Sequence, residues 1–138
     1  MTYKEVYEYG KQKLIDAGIE DAVLDARLLL EYICHTDRNE LIVHADCQRS
    51  SMEEQFYKIV IEKRASHIPL QHITGEQEFM GLSFQVNEHV LIPRQDTEIL
   101  VEEVMRHLSD GMRILDICTG SYFWHQSINY FCLNVWRI

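Results

Sequence analysis

The chain has 138 residues, 46% of them hydrophobic and 25% charged, and its formal net charge is −9. This length suffices for one ordinary hydrophobic core with a small appendage, and no segment approaches the roughly 18 apolar residues of a membrane span. Without a block of basic residues, binding that depends on neutralising nucleic-acid phosphates is disfavoured. Because no signal peptide is visible, we expect a cytoplasmic protein with reduced cysteines.

The first 66 residues carry the pattern of four helices. Thr2-x-x-Glu5 has the spacing of a capping box, in which each side chain satisfies a backbone donor of the first turn. Asp21 and Asp37 stand where they are expected to cap the second and third helices. This region therefore predicts a small helical bundle.

The fourth helix is expected to begin at Ser51-x-x-Glu54, a second capping-box spacing. Its apolar residues Phe56, Ile59 and Val60 recur at helical intervals, so we expect them to face the core.

The periodicity changes after the fourth helix. The pair Ile68-Pro69 predicts an extended segment, because a residue before proline disfavours the helical conformation. Gly81 forms a corner, after which Leu82, Phe84 and Val86 alternate with polar residues. This pattern predicts a β-hairpin.

A helix, a strand and a turn follow the hairpin. Asp96 or Thr97 is expected to cap a helix that continues to Leu108. Residues 113–117 are expected to form a strand before a turn of small residues. Such a turn opens a ligand crevice at the carboxyl end of a strand in α/β proteins. The whole chain is therefore predicted to be mainly α with a small β-hairpin, a helical bundle followed by the start of an α/β domain.

Residues 122–138 differ in composition from everything before them. They hold both tryptophans and no acid, and they show no helix cap and no clear period where a crossover helix is expected. We interpret this aberrant tail as out-of-frame translation or a truncated reading frame; the alternative is a genuine aromatic anchor segment.

Three motifs together resemble the S-adenosylmethionine-dependent methyltransferases that modify a glutamine side-chain nitrogen in peptide chain release factors, the proteins of translation termination. They are Ile-Pro-Leu-Gln-His-Ile-Thr-Gly-Glu-Gln-Glu-Phe-Met-Gly-Leu at 68–82, Leu-Ile-Pro-Arg-Gln-Asp-Thr-Glu at 91–98 and Ile-Leu-Asp-Ile-Cys-Thr-Gly-Ser at 114–121. The likeness covers about residues 1–121. Its first two motifs are specific in combination, whereas the third recurs across many methyltransferases.

The resemblance implies a division of the chain. Residues 1–66 would be a helical domain that recognises the release factor, and residues 67–93 a hairpin linker. Residues 94–121 would be the truncated beginning of a Rossmann-like methyltransferase domain, followed by the tail at 122–138.

The resemblance also implies a set of S-adenosylmethionine contacts. These are Arg94, Thr97, Asp116, Thr119, Gly120 and Ser121. Gln95 replaces a proline of the family pattern, and Cys118 and Tyr122 stand where it has glycines. Since glycine lets the backbone approach a ligand without a Cβ in the way, these two departures make cofactor binding by this chain doubtful.

No catalytic residue is assigned, because the family's Asn-Pro-Pro-Tyr segment, which holds the reactive amide, does not occur in these 138 residues. Positioning of the nucleophile is a main source of rate in such a transfer. The expected function is therefore that of an N-terminal fragment, related to an enzyme, that docks the release factor without turnover.

Two other functions remain open at this stage. One is a fragment of a nucleic-acid base N-methyltransferase, which the net charge of −9 disfavours. The other is a stand-alone helical interaction module. For the release-factor function we expect no membrane partner and no direct nucleic-acid partner. Apolar surface on the helix at 97–108 and the strand at 113–117 favours self-association.

A zinc site is not expected. Cys34, His35, His44 and Cys47 invite one, but the paired ligand spacing of structural zinc sites is missing.

Overall fold

The computed structural model describes residues 1–109, 111–115 and 136–137, and the chain divides into two compact units, Met1–Thr74 and Gly75–Ile138. We call Met1–Thr74 the helical unit. Its elements are α1 (Tyr3–Asp16), α2 (Ala22–Cys34), α3 (Arg38–Val43), α4 (Ser51–Ala65) and α5 (Leu70–Thr74). Those of the second unit are β1 (Glu76–Phe79), β2 (Leu82–Gln85), α6 (Gln95–His107), β3 (Arg113–Ile114) and β4 (Trp136–Arg137). The predicted fold class, mainly α with a small hairpin, is confirmed.

The core of the helical unit lies between α1, α2 and α4. Leu14, Leu29 and Ile61, one from each helix, are fully buried. Tyr57 of α4 is also fully buried, and its hydroxyl donates a hydrogen bond to the carbonyl oxygen of Ala26 at 3.0 Å. This bond gives the Tyr57 hydroxyl a hydrogen-bond partner in place of the water that burial excludes. The same burial raises the pKa of Tyr57.

Local capping motifs set the starts of α1 and α3. Thr2 and Glu5 form the predicted capping box, and these hydrogen bonds hold the pKa of Glu5 below its usual 4.5. Asp37 caps α3, because its side chain accepts a hydrogen bond from the backbone of Glu40 at 2.9 Å. Asp21 occupies the N-cap position of α2 without a capping side-chain bond.

The capping box of α4 lies one residue earlier than predicted. The helix does begin at Ser51, but its N-cap is Ser50, whose side chain accepts from the backbone N–H of Glu53 at 3.2 Å. Arg49 donates to the same Glu53 carboxylate at 2.9 Å. This contact from Arg49 favours a capping box that uses Glu53 rather than the next residue, Glu54.

The predicted inward face of α4 was largely wrong. Val60 is buried, but Phe56 and Ile59 are each 52% exposed. The residues that pack on α1 and α2 are instead Tyr57, Val60 and Ile61. Apolar residues lie on two sides of α4, so its helical period alone does not identify the buried side.

A short helix, α5, replaces part of the extended segment that we expected after Ile68. It follows Pro69, whose carbonyl oxygen accepts from the backbone of His72 at 3.0 Å. Proline suits a helix start, since its missing N–H would have no partner there in any case.

In the second unit, β1 and β2 form the predicted antiparallel hairpin, with Phe79 opposite Leu82. The turn residues Met80 and Gly81 both have positive φ, 53° and 72°. Two such residues favour the twist of a two-residue hairpin. Phe79 and Phe84 meet edge to face at 6.4 Å in a small core that includes Val101 of α6.

Helix α6 begins before the predicted caps. Its N-cap is Arg94, so Asp96 and Thr97 lie inside the first turn rather than before it. A negatively charged side chain in the first turn interacts favourably with the positive end of the helix dipole, although it does not cap the helix. After α6, β3 pairs in parallel with β4 through Arg113 and Trp136; part of the predicted strand at 113–117 lies outside the described residues.

Candidate functional site

Two of the six predicted cofactor contacts lie at the start of α6. Arg94 is exposed and makes no side-chain capping bond, and Thr97 is exposed one turn later. The backbone N–H of Thr97 donates to the Arg94 carbonyl oxygen at 3.1 Å. A guanidinium and a hydroxyl offer polar contacts to a ligand such as S-adenosylmethionine, but being exposed they do not exclude water from it.

The other four predicted contacts, Asp116, Thr119, Gly120 and Ser121, lie outside the described residues. The assignment of all six to cofactor binding stays a prediction.

Glu98, which belongs to the same motif as Arg94 and Thr97, has a structural contact in the hairpin. Its carboxylate accepts a hydrogen bond from the backbone N–H of Met80 at 2.8 Å, which ties α6 to the hairpin turn. A cleft of about 510 Å³ lies beside this contact, and Glu78 and Glu102 also line it. All of its charged lining residues are acidic, so the cleft repels anionic ligands.

A second depression, which we call the α1–α3 groove, lies on the helical unit and has a volume of about 410 Å³. Its floor includes the buried Tyr3 and Leu30, and its walls the half-buried Tyr7 and Leu41. Ile42 lines the groove and is 65% exposed. The surface is thus apolar and rich in tyrosine, a composition typical of protein-binding sites.

The charged residues that line the α1–α3 groove are all cations: Lys4, Arg27 and Arg38. Arg27 pairs with Glu31 at 3.0 Å. Lys4 and Arg38 form no ion pair with any residue that the structure describes. On a chain with net charge −9 this groove has the opposite sign to the molecule as a whole.

Another exposed apolar surface lies on α4, and we call it the α4 face. It consists of Met52, Phe56 and Ile59, which are 67%, 52% and 52% exposed. Lys63 lies at the end of this helix, beside a shallow depression that Ile59 also lines. The extent of both surfaces depends on which side of each helix packs on its neighbours, and the helical period alone does not determine that.

The cysteines and histidines of the helical unit approach one another at one pair, His44 and Cys47. Within the described part of the chain, no group of three or more potential metal ligands is found. His44 Nδ1 and Cys47 Sγ lie 3.8 Å apart. Burial raises the pKa of Cys34 to about 11, which disfavours the thiolate that nucleophilic catalysis requires.

None of the described helices has both the length and the apolar content needed to cross a bilayer.

Comparison with known proteins identifies the family. The model of the PrmC N-terminal domain matches residues 5–75, which is half of the chain. A release factor glutamine methyltransferase of Geobacter sulfurreducens is 38% identical over 120 residues, covering 87% of this chain and 42% of that protein. The chain belongs to the release factor glutamine methyltransferase family. The resemblance to this family that the motifs indicated is thereby confirmed.

Further members of this family are similar to the chain over most of its length. The release factor glutamine methyltransferase of Moorella thermoacetica is 37% identical over 123 residues, 88% of this chain and 44% of that protein. The release factor glutamine methyltransferase of Clostridium botulinum is 36% identical over 132 residues, which cover 94% of this chain and 47% of that protein. The chain thus spans less than half the length of the curated relatives it matches.

The Clostridium botulinum match also bears on the tail. Because it covers 94% of the chain, it extends into residues 122–138, most of which the structure does not describe. The hypothesis that these residues are out of frame stays a prediction.

Proposed function

We propose that the helical unit is the substrate-recognition part of a release factor glutamine methyltransferase and that it binds a peptide chain release factor. The observation that carries this proposal is the match of the PrmC N-terminal domain to residues 5–75, which coincides closely with the compact unit Met1–Thr74. The relatives in Geobacter sulfurreducens and Moorella thermoacetica are named release factor glutamine methyltransferases. A pre-formed core with an exposed, tyrosine-lined groove suits the recognition of a folded protein.

We further propose that residues 1–138 by themselves bind the release factor without methylating it. In this family S-adenosylmethionine would supply the methyl group. Of the S-adenosylmethionine contacts that the resemblance implies, the structure describes Arg94 and Thr97. Both are exposed at the start of α6, so they offer polar groups but do not shield a ligand from water. Holding a weakly nucleophilic amide in line with a methyl donor demands more fixed contacts than these two provide.

The test combines binding and turnover on the same purified chain. Isothermal titration with a bacterial release factor is expected to show saturable binding, whereas a translation elongation factor, as control, shows none. Incubation of the release factor with the chain and tritiated S-adenosylmethionine is expected to leave it unlabelled. Absence of binding would refute the recognition role, and label transferred by a preparation free of host methyltransferase would refute the lack of turnover.

A further inference from the structure

The α1–α3 groove combines two properties. Its floor and walls are apolar, and its charged lining residues are cations. The α4 face, by comparison, ends in a depression lined by both Glu62 and Lys63. A partner that contacts the groove therefore meets positive charge around an apolar centre.

The cations of the groove are also available. Most lysines and arginines of the helical unit already pair with a carboxylate, as Arg64 does with the buried Asp25 at 2.6 Å. Within the described residues, the cations of this unit without an ion pair are Lys4, Arg38 and Lys63. Two of the three line the α1–α3 groove. An acidic partner gains their attraction without breaking an existing pair.

The apolar part of the groove sets the second requirement. Tyr3 and Leu30 are buried at its floor, so they are fixed in position and lose little freedom when a partner binds. Ile42 at the edge is 65% exposed and would be covered. Tyrosine and arginine are among the residue types that most often dominate binding energy at protein interfaces.

We infer that the α1–α3 groove receives an acidic segment of the release factor, one that places apolar side chains between Lys4 and Arg38. This inference rests on the proposed function and adds the site and the chemistry of the segment bound. Nucleic acid is disfavoured, because the floor is apolar and the third cation, Arg27, is already paired with Glu31. Charge complementarity of this kind speeds association and orients the partner.

Two matched pairs of variants test the inference in the full 138-residue chain. Arg38→Glu reverses an unpaired cation in the groove, and Lys63→Glu reverses one outside it. Ile42→Ser removes an exposed apolar side chain at the groove edge, and Ile59→Ser removes one from the α4 face. All four positions are on the surface, and circular dichroism checks that each variant keeps the helical content of the parent.

Titration with the release factor is expected to show a Kd at least tenfold higher for Arg38→Glu and for Ile42→Ser. Lys63→Glu and Ile59→Ser are expected to stay within about twofold of the parent chain. The parent's affinity should fall with added salt, and Arg38→Glu should reduce that salt dependence.

Several results would overturn the inference. If the parent binds and the groove variants bind equally well, or if both members of each pair lose affinity alike, the groove is not the site, while the proposed recognition role stands. A parent chain that does not bind the release factor refutes the recognition role and this inference with it. The groove would have another occupant if the parent chain bound a 20-nucleotide RNA, the release factor did not displace that RNA, and Arg38→Glu abolished the binding. The same holds if Arg38→Glu abolished a dimer seen in sedimentation of the chain alone.

Discussion

Gly10 of α1 lies directly against the side chain of Tyr57 of α4. A Cβ added at this position would lie 2.0 Å from the Tyr57 hydroxyl oxygen and 2.7 Å from the ring carbon that carries it. The Tyr57 ring is itself held by the hydrogen bond to Ala26, so it is not free to move aside. The close approach of the two helices therefore depends on glycine.

Gly10→Ala is expected to destabilise the chain by about 1–3 kcal/mol, the usual cost of overpacking a core. At an exposed helix position, replacing glycine by alanine would instead stabilise the protein by roughly 0.5–1 kcal/mol. The sign of the change in the free energy of unfolding therefore tests for the steric contact. Urea unfolding followed by circular dichroism measures it, with Glu8→Ala on the exposed side of α1 as control. A stabilised Gly10→Ala variant would contradict the packing of α1 on Tyr57.

Two adjacent serines at the start of α4 provide a comparison between neighbours. Ser50→Ala removes the acceptor for the Glu53 N–H and is expected to cost about 1 kcal/mol. Ser51→Ala changes a residue in the first helical turn and is expected to stay within about 0.5 kcal/mol. Urea unfolding compares the two, and equal losses, or a larger loss for Ser51→Ala, would contradict the assigned N-cap.

Glu53 gives this cap a pH dependence. Burial tends to raise its pKa, but hydrogen bonds from Ser50 and Arg49 outweigh burial and leave the pKa below 4.5. A carboxyl whose folded pKa is lowered stabilises the protein above its unfolded pKa, and this contribution is lost as the pH falls through the folded value. Stability from Glu53 is thus full at pH 7 and declines below about pH 4.5.

Glu53→Gln keeps an oxygen acceptor for the N-cap but removes the charge that Arg49 contacts. The variant is expected to be less stable than the parent at pH 7, and the difference should shrink as the pH falls below 4.5. Urea unfolding between pH 7 and pH 3 measures this, with Glu20→Gln at an exposed site as control. A difference that stays constant over this range would refute the role of the Glu53 charge.

At the scale of the elements, the β1–β2 hairpin depends on its turn. Gly81 has φ of 72°, a conformation that costs an L side chain roughly 1–2 kcal/mol. Gly81→Ala is therefore expected to lower hydrogen-exchange protection of the hairpin amides by about tenfold, including the Val86 N–H that donates to Gly75 at 2.8 Å. Ser83→Ala, at an exposed strand position, should leave protection within about twofold. Unchanged protection in Gly81→Ala would contradict the turn geometry.

Helix starts were predictable where a few neighbouring residues decide them. Thr2 with Glu5 and Asp37 with Glu40 are such cases, since the donor and acceptor lie three residues apart. At α4 two serines each precede a glutamate by three residues, so the local pattern fits both, and only the structure brings Arg49 onto the first of them.

Features that depend on distant residues were not predictable from the sequence. Phe56 and Ile59 have the same helical period as the buried residues of α4, and only the placement of α1 and α2 distinguishes the two sides. The groove likewise combines residues of α1, α2 and α3 that are far apart along the chain. For the cofactor site, the motifs predicted Arg94 and Thr97, but the contact of Glu98 with Met80 emerged only from the fold.

On the scale of the whole molecule, the two units leave different surfaces exposed. In the helical unit the α1–α3 groove and the α4 face are open, and in the second unit Ile99 and Leu100 of α6 are 69% and 62% exposed. Apolar surface of this extent on a helix is typical of a face that another element or partner covers. Self-association through α6 stays a prediction.

Recognition by the helical unit is the central claim, and hydrogen–deuterium exchange of the chain with and without release factor tests it most directly. We predict that the release factor slows exchange at the amides of α1 and α3, while the hairpin and α6 exchange as in the free chain. Slowed exchange confined to residues 75–109, or none at saturating release factor, would contradict the claim.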